Sequence, residues 1–340
     1  MKSRWTKLIM LLPALVLALG ITACSDDDDA TGPSQTDWEV VFDAVAETWG
    51  SGTTPGAAIS PTALNDDING DAEYYILSVR AAADYNTGHI PTAVNIPWRE
   101  AFTEANYATL PTDQPIAVYC YTGHTGGLVA YALQILGFDA DNLKWGMMNW
   151  NSDPAVGGVE GWAGDQGLAV ETGASEDWST WPDNDLPTTV DFATDDPDEI
   201  LRLAADRWIS DTSWVPITSA SALFNDHLSD GYQEATDPII ISVRAQADYE
   251  DGHIPGAINM SREQMADQAN LMKLDPDKDI VVYCYTGHTG GQAAAILNML
   301  GYKAQNLKFG MMDWNADYLG PAGAFSGAQE FDTSGSTLNN

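Results

Sequence analysis

Tyr119-Cys120-Tyr121-Thr122-Gly123-His124-Thr125-Gly126-Gly127 recurs letter for letter as Tyr283-Cys284-Tyr285-Thr286-Gly287-His288-Thr289-Gly290-Gly291, 164 residues further along the chain. The same spacing relates SVRAAADY at 78–85 to SVRAQADY at 242–249, and GHIP at 88–91 to GHIP at 252–255. It still holds at Trp150 and Trp314. One offset over so long a stretch leaves no room for a net insertion, so one domain occurs twice and the copies share geometry. The expected layout is domain 1 at 37–151, a linker at 152–196, domain 2 at 197–319 and a loosely held Gly- and Ser-rich tail at 320–340. Trp162, Trp178 and Trp181 in the linker predict that it packs partly on a domain, because a purely flexible segment rarely carries such residues.

Within each copy, short apolar β-rich runs alternate with helix-like segments, which is the pattern of a parallel sheet covered by helices on both faces. Residues 75–79 and 239–243 read as one strand, and 116–119 and 280–283 as another. A Gly-rich turn follows the second strand, then a helix over 128–136 or 292–300, closed by Gly137 or Gly301. This strand–turn–helix order puts Cys120 and Cys284 at the carboxyl ends of strands, where open α/β sheets place ligand sites.

A cysteine on a tight loop at a helix N-terminus meets unpaired backbone N–H groups and the positive end of the helix dipole, which favour thiolate. Gly123, Gly126 and Gly127, like Gly287, Gly290 and Gly291, are expected to let the backbone curl so that these N–H groups converge on the sulfur or on a sulfur bonded to it. Thr125 and Thr289 are candidates to add a hydroxyl. His124 and His288 have two readings: a positive charge or hydrogen bond for a substrate, or ordinary surface loop residues. The cysteines also have a bland reading as buried, inert core residues, but a Gly-rich turn straight after each argues against burial. A disulfide between them fits poorly, since each lies within its own copy of the same string.

The ordered set of motifs, an arginine after a strand, Gly-His-Ile-Pro, a strand ending in Cys-Tyr-Thr-Gly-His-Thr, then Gly-Met-Met and Trp150 or Trp314, resembles the rhodanese or sulfurtransferase superfamily. The resemblance covers most of 37–151 and 197–315. It implies two rhodanese-like domains, a catalytic Cys120 and Cys284, and a loop of Tyr121, Thr122, Gly123, His124, Thr125 and Gly126, or Tyr285, Thr286, Gly287, His288, Thr289 and Gly290, holding the substrate or persulfide. It also implies transfer of sulfane sulfur from a small donor, such as thiosulfate or a persulfide, to a thiol or cyanide, with no cofactor and no metal. Relatives acting on thiosulfate usually carry a basic residue after the cysteine, where Tyr121 and Tyr285 stand here. No arginine closes the loop, which disfavours phosphatase or arsenate reductase chemistry. Arg80 with Asp84, and Arg244 with Asp248, stand four residues apart and are expected to form supporting ion pairs. His89 and His253 are expected to order a turn. The alternative function is a non-catalytic lipoprotein that binds a partner or senses thiol oxidation.

The chain has 340 residues, 14 basic and 49 acidic, for a net charge of −35. Such acidity repels nucleic acid and anionic membrane surfaces, so neither is an expected partner. Lys2, Arg4 and Lys7 precede an apolar stretch at 8–20 that is short for a bilayer span. Residues 1–23 therefore read as a signal peptide. Ile21-Thr22-Ala23-Cys24 resembles the lipobox of bacterial lipoproteins, which implies lipidation of Cys24, an acidic tether at 24–36 and export to the periplasmic or cell-surface side of a bacterial membrane. The lipid would be the only membrane contact.

Overall fold

Apolar runs too short for helices become parallel strands. The computed structural model describes residues 35–49, 58–70, 73–156, 161–162, 164–174, 176–187 and 191–334. The expected signal peptide and Cys24 lie outside these residues. Strands β1 (Tyr75–Ser78), β2 (Val94–Asn95), β3 (Ile116–Tyr119) and β4 (Ala140–Asn142) form a sheet of order β2-β1-β3-β4. Strands β5 (Ile217–Thr218), β6 (Ile239–Ser242), β7 (Ile258–Asn259), β8 (Asp279–Tyr283) and β9 (Lys303–Leu307) form a second, of order β5-β9-β8-β6-β7. Every pairing is parallel, and the register repeats, with Tyr75 opposite Ile116 and Ile239 opposite Ile280. The sheets differ in strand number because the position of β5 is reduced in domain 1 to a single bridge from Ile59 to Leu143.

The helices after the cysteines span His124–Ile135 and His288–Met299, starting four residues earlier than the sequence suggests. Gly126, Gly127, Gly290 and Gly291 thus lie in first helical turns. Of residues 124–135, all but Thr125 are buried. A helix without a polar stripe has to be covered on every side. Its own sheet covers one side, and the corresponding helix of the other domain packs against it. The two domains therefore share one hydrophobic core.

Two amphipathic helices complete that core. In Asp37–Trp49 the buried residues Trp38, Val41, Val45 and Trp49 recur at helical spacing. Pro197–Ile209 opens with Pro197 in its first turn and is capped by the Asp196 carboxylate, which accepts from the Asp198 N–H. Each helix reaches across: Trp38 Nε1 donates to Leu300 O at 3.2 Å, and Arg202 Nη1 to Phe102 O at 2.7 Å.

Within residues 152–196, Trp178 is buried and its Nε1 donates to Asn259 O at 2.8 Å. The tail departs from expectation. Up to Ser334 it is held against domain 1, where Gln329 and Phe331 N–H groups donate to the carbonyls of Asn149 and Trp150 at 2.9 and 3.0 Å. Low side-chain content misleads here because backbone bonds hold the segment. Among the described residues, no helix is long and apolar enough to cross a membrane.

Candidate active site

Cys120 and Cys284 follow directly on β3 and β8, and the turn between each cysteine and the next helix is only three residues long. Gly123 and Gly287 close that turn with φ of 80° and 85°, a left-handed conformation that suits glycine. There each donates its N–H to the preceding cysteine sulfur, at 3.1 Å in both domains. The start of a 12-residue helix adds partial positive charge beside each sulfur. Gly123 and Gly287 are thus the loop residues whose N–H groups are seen on the bare sulfur. Gly126 and Gly290 also allow close packing: a Cβ on Gly126 would lie 3.0 Å from Cys120 N, and one on Gly290 2.8 Å from Asn306 Oδ1. Thr125 and Thr289 are half-buried in the same helical turns.

Both sulfurs are covered. Cys120 is 1% exposed and Cys284 is fully buried, which corrects the expectation that a Gly-rich turn would leave them open. The two loops that carry them face each other across the domain boundary.

The histidines show how the loops meet. His124 Nε2 accepts from the Phe309 N–H of domain 2 at 2.9 Å, and His288 Nε2 accepts from the Trp145 N–H of domain 1 at 3.2 Å. Their rings stack with centroids 5.7 Å apart. An Nε2 that accepts carries no proton, so Nδ1 holds it and donates to Thr122 Oγ1 at 2.9 Å in one loop and Thr286 Oγ1 at 3.2 Å in the other. Burial pushes His124 well below the ordinary histidine value, with His288 and Lys308 adding to the effect. Burial beside Lys144 lowers His288 to about 3. Both are neutral cross-domain acceptors, so neither a charged substrate ligand nor a surface residue describes them.

Tyr121 and Tyr285 have a second role. The Tyr121 hydroxyl donates to Asp84 Oδ2 and accepts from the Ala81 N–H at 3.2 Å; Tyr285 donates to Asp248 Oδ2 at 2.6 Å and accepts from Ala245 N–H at 3.0 Å. These bonds tie each cysteine loop to the segment carrying the arginine. The expected pairing of Arg244 with Asp248 is replaced: Arg244 donates to the carbonyls of Gly252 and Tyr318. Arg80 likewise donates to Gly88 O, the equivalent carbonyl. Placing the acid on the tyrosine frees the guanidinium to order the turn before Gly-His-Ile-Pro. His89 and His253 stack on Tyr85 and Tyr249 at 3.9 Å, in that same turn.

Two pairs of site residues escaped the sequence reading. Asn142 and Asn306 donate Nδ2 to the carbonyls of Gly123 and Gly287 at 2.8 and 2.9 Å, fixing the turn. Trp145 and Phe309 sit at φ of 64° and 63°, strained for large side chains, and present the N–H groups that the histidines accept. Their signal was the 164-residue repeat itself, which includes both positions.

The family model described as a rhodanese-like domain matches residues 60–153 and 225–317, together more than half of the chain. A sulfurtransferase of Allochromatium vinosum is 28% identical over 91 residues, 26% of this chain and 83% of that protein. A thiosulfate sulfurtransferase of Pseudomonas savastanoi pv. phaseolicola is 31% identical over 81 residues, 24% of this chain and 74% of that protein. An HTH-type transcriptional regulator of Mycobacterium tuberculosis is 36% identical over 84 residues, 24% of this chain, and the match spans only 36% of the regulator. With two matched copies, each built around a buried cysteine at the end of a parallel strand, the chain belongs to the rhodanese-like family.

Proposed function

We propose that this chain is a sulfurtransferase with two sites, Cys120 and Cys284, exported and tethered to a bacterial membrane through a lipid on Cys24. Its sulfurtransferase relatives support the class of reaction. The observation that carries the reading is the Gly N–H to Sγ bond at 3.1 Å, present in both domains at a helix N-terminus. A persulfide anion formed there would meet the same donors. The cysteine thiolate attacks the outer sulfur of thiosulfate or of a persulfide. As the new S–S bond forms, the donor's S–S bond breaks and sulfite or a thiolate leaves with the electron pair. A thiol or cyanide then attacks the outer sulfur of the enzyme persulfide, giving a new persulfide or thiocyanate and restoring the thiolate.

Tyr121 and Tyr285 bear on the donor. They occupy the position of the basic residue in thiosulfate enzymes and are bonded to Asp84 and Asp248, so anionic thiosulfate gains no cation from this position. Persulfide donors fit the site better.

Intact mass of the protein lacking residues 1–24, after exposure to thiosulfate or a polysulfide, tests the reading. One added sulfur per intact cysteine, removed by cyanide and missing in the matching Cys120→Ser or Cys284→Ser variant, is the expected result. The covered sulfurs favour one rival, a module that senses thiol oxidation without turnover. Cysteines that alkylate but never gain sulfur would select it.

A further inference from the structure

The segments that follow the two domains are exchanged. After domain 1, Gln166 and Leu168 N–H groups donate to Asp313 and Trp314 carbonyls of domain 2 at 2.8 and 3.0 Å. Trp314 Nε1 donates to Ala169 O at 2.9 Å, and Glu171 pairs with His253. After domain 2, Gln329 and Phe331 repeat these bonds on Asn149 and Trp150 of domain 1, Trp150 Nε1 donates to Asp332 O at 2.9 Å, and Ser334 pairs with His89. These edge and indole bonds match between the two straps, as do Gly164 and Gly327 with φ of 111° and 112°.

Matching positions on the straps carry Trp162 and Phe325. Both enter one apolar cluster with Trp145, Met148, Phe309 and Met312. The Phe325 ring lies 5.7 Å from Trp145, and its N–H donates to Met312 Sδ at 3.3 Å. That cluster borders both loops, since Met148 and Met312 donate N–H to the carbonyls of Tyr121 and Tyr285 at 2.8 and 2.9 Å.

We propose that Trp162 and Phe325 are the access-determining residues of the paired cysteine loops, carried on exchanged straps that lift to admit a donor or acceptor to either sulfur. A Cβ built at Gly164, Gly167, Gly323 or Gly327 meets nothing within 4 Å, so at these glycines the straps stand clear of the domains, and edge hydrogen bonds with a few apolar side chains hold the stretches between. Such segments open at low free energy while a core stays folded. Because both aromatic rings share one cluster that borders both loops, loosening either strap is expected to raise access to both sulfurs. The inference rests on these loops being the reacting sites, but its test reads thiol access and needs no sulfur transfer.

The test uses the chain lacking residues 1–24, in native buffer, with Trp162→Ala, Phe325→Ala and the double variant. Alkylation of Cys120 and Cys284 is followed separately by peptide mass, with iodoacetamide and with a bulky maleimide. Each single variant is expected to speed both cysteines by about tenfold or more, and to narrow the gap between small and bulky reagents, as local opening without global unfolding requires. Trp162→Phe and Phe325→Leu, which retain an apolar head, are expected to give smaller effects and serve if the alanine variants fold poorly. Folded variants that alkylate at the parent rate would overturn the proposal, as would acceleration confined to one cysteine. So would rates that merely follow global unfolding in urea.

Discussion

The two cysteine loops repeat each other bond for bond, while the helices behind them do not. Sulfur to glycine, tyrosine to aspartate, asparagine to carbonyl and histidine to the facing backbone all occur twice. At matching positions on the facing helices, however, domain 1 has Leu128 and Tyr131 where domain 2 has Gln292 and Ala295. Tyr131 is fully buried, 6.4 Å from Trp49, and its ring lies 3.6 Å from where a Cβ on Gly291 would be. Burial raises its hydroxyl strongly, and charge on Cys284 raises it further. Cys284 thus has a phenol from the other domain nearby, and the position that matches Tyr131 in domain 2 is Ala295. Gln292 is bonded by Arg262, whose guanidinium lies 5.4 Å from the Trp49 ring. Two surfaces that pack on each other need large residues opposite small ones, so duplicated domains keep their loops and diverge at the seam.

That contrast can be broken most severely at Tyr131. Tyr131→Ala leaves two small residues facing each other and is expected to cost about 3–5 kcal/mol in urea denaturation, with Cys284 alkylation rising more than that of Cys120. A loss under about 1 kcal/mol would show that the seam does not depend on this ring.

The equivalence of the loops is tested by Gly146→Ala and Gly310→Ala. The added Cβ would lie 2.5 Å from Cys120 O or 2.4 Å from Cys284 O, at φ of 53° and 55°. Each is expected to destabilise by about 2–3 kcal/mol, through overpacking and strain. Equal losses would show that the two loops bear the same strain, and unequal ones that they differ.

Acid reaches both loops through the paired histidines. Their values in the folded protein lie below the ordinary 6.5, so the unfolded state binds more protons. Stability is therefore full above about pH 6.5 and falls as pH drops, towards a plateau below about 3 for His288. The slope is at most about 1.4 kcal/mol per pH unit for each histidine. Among the described residues no carboxylate offsets the charge, and Lys308 and Lys144 lower the pair further. Urea midpoints at pH 7 and 5 are expected to converge in His288→Gln relative to the parent. A parent midpoint that is flat in pH would contradict the buried neutral pair.

Tyr121→Phe and Tyr285→Phe are the mildest changes. Each removes the hydroxyl bound to Asp84 or Asp248 and is expected to cost about 1–2 kcal/mol, equally in the two domains, by thermal denaturation.

The repeat, the parallel sheets and both cysteine turns were legible because they rest on local pattern: β-rich runs, glycine at turns and one fixed offset. The depth of Cys120 and Cys284 and the cross-domain bonds of His124 and His288 were not, since no local pattern reports a contact between residues 185 positions apart. A signal existed in HTGGLVAYALQI, too apolar on every side for a helix with one wet face. The tail misled because Phe325, Gln329 and Phe331 echo Trp162, Gln166 and Leu168 only weakly, and the bonds they make are to backbone. The arginine–aspartate spacing misled for another reason: Tyr285, 37 residues from Asp248, competes for the same carboxylate.

Steady-state transfer from a polysulfide to cyanide reads out whether Cys120 and Cys284 each carry sulfur. Cys120→Ser and Cys284→Ser are each expected to retain measurable turnover, and the double variant to fall to the rate without protein. A folded double variant that turns over like the parent would contradict the account.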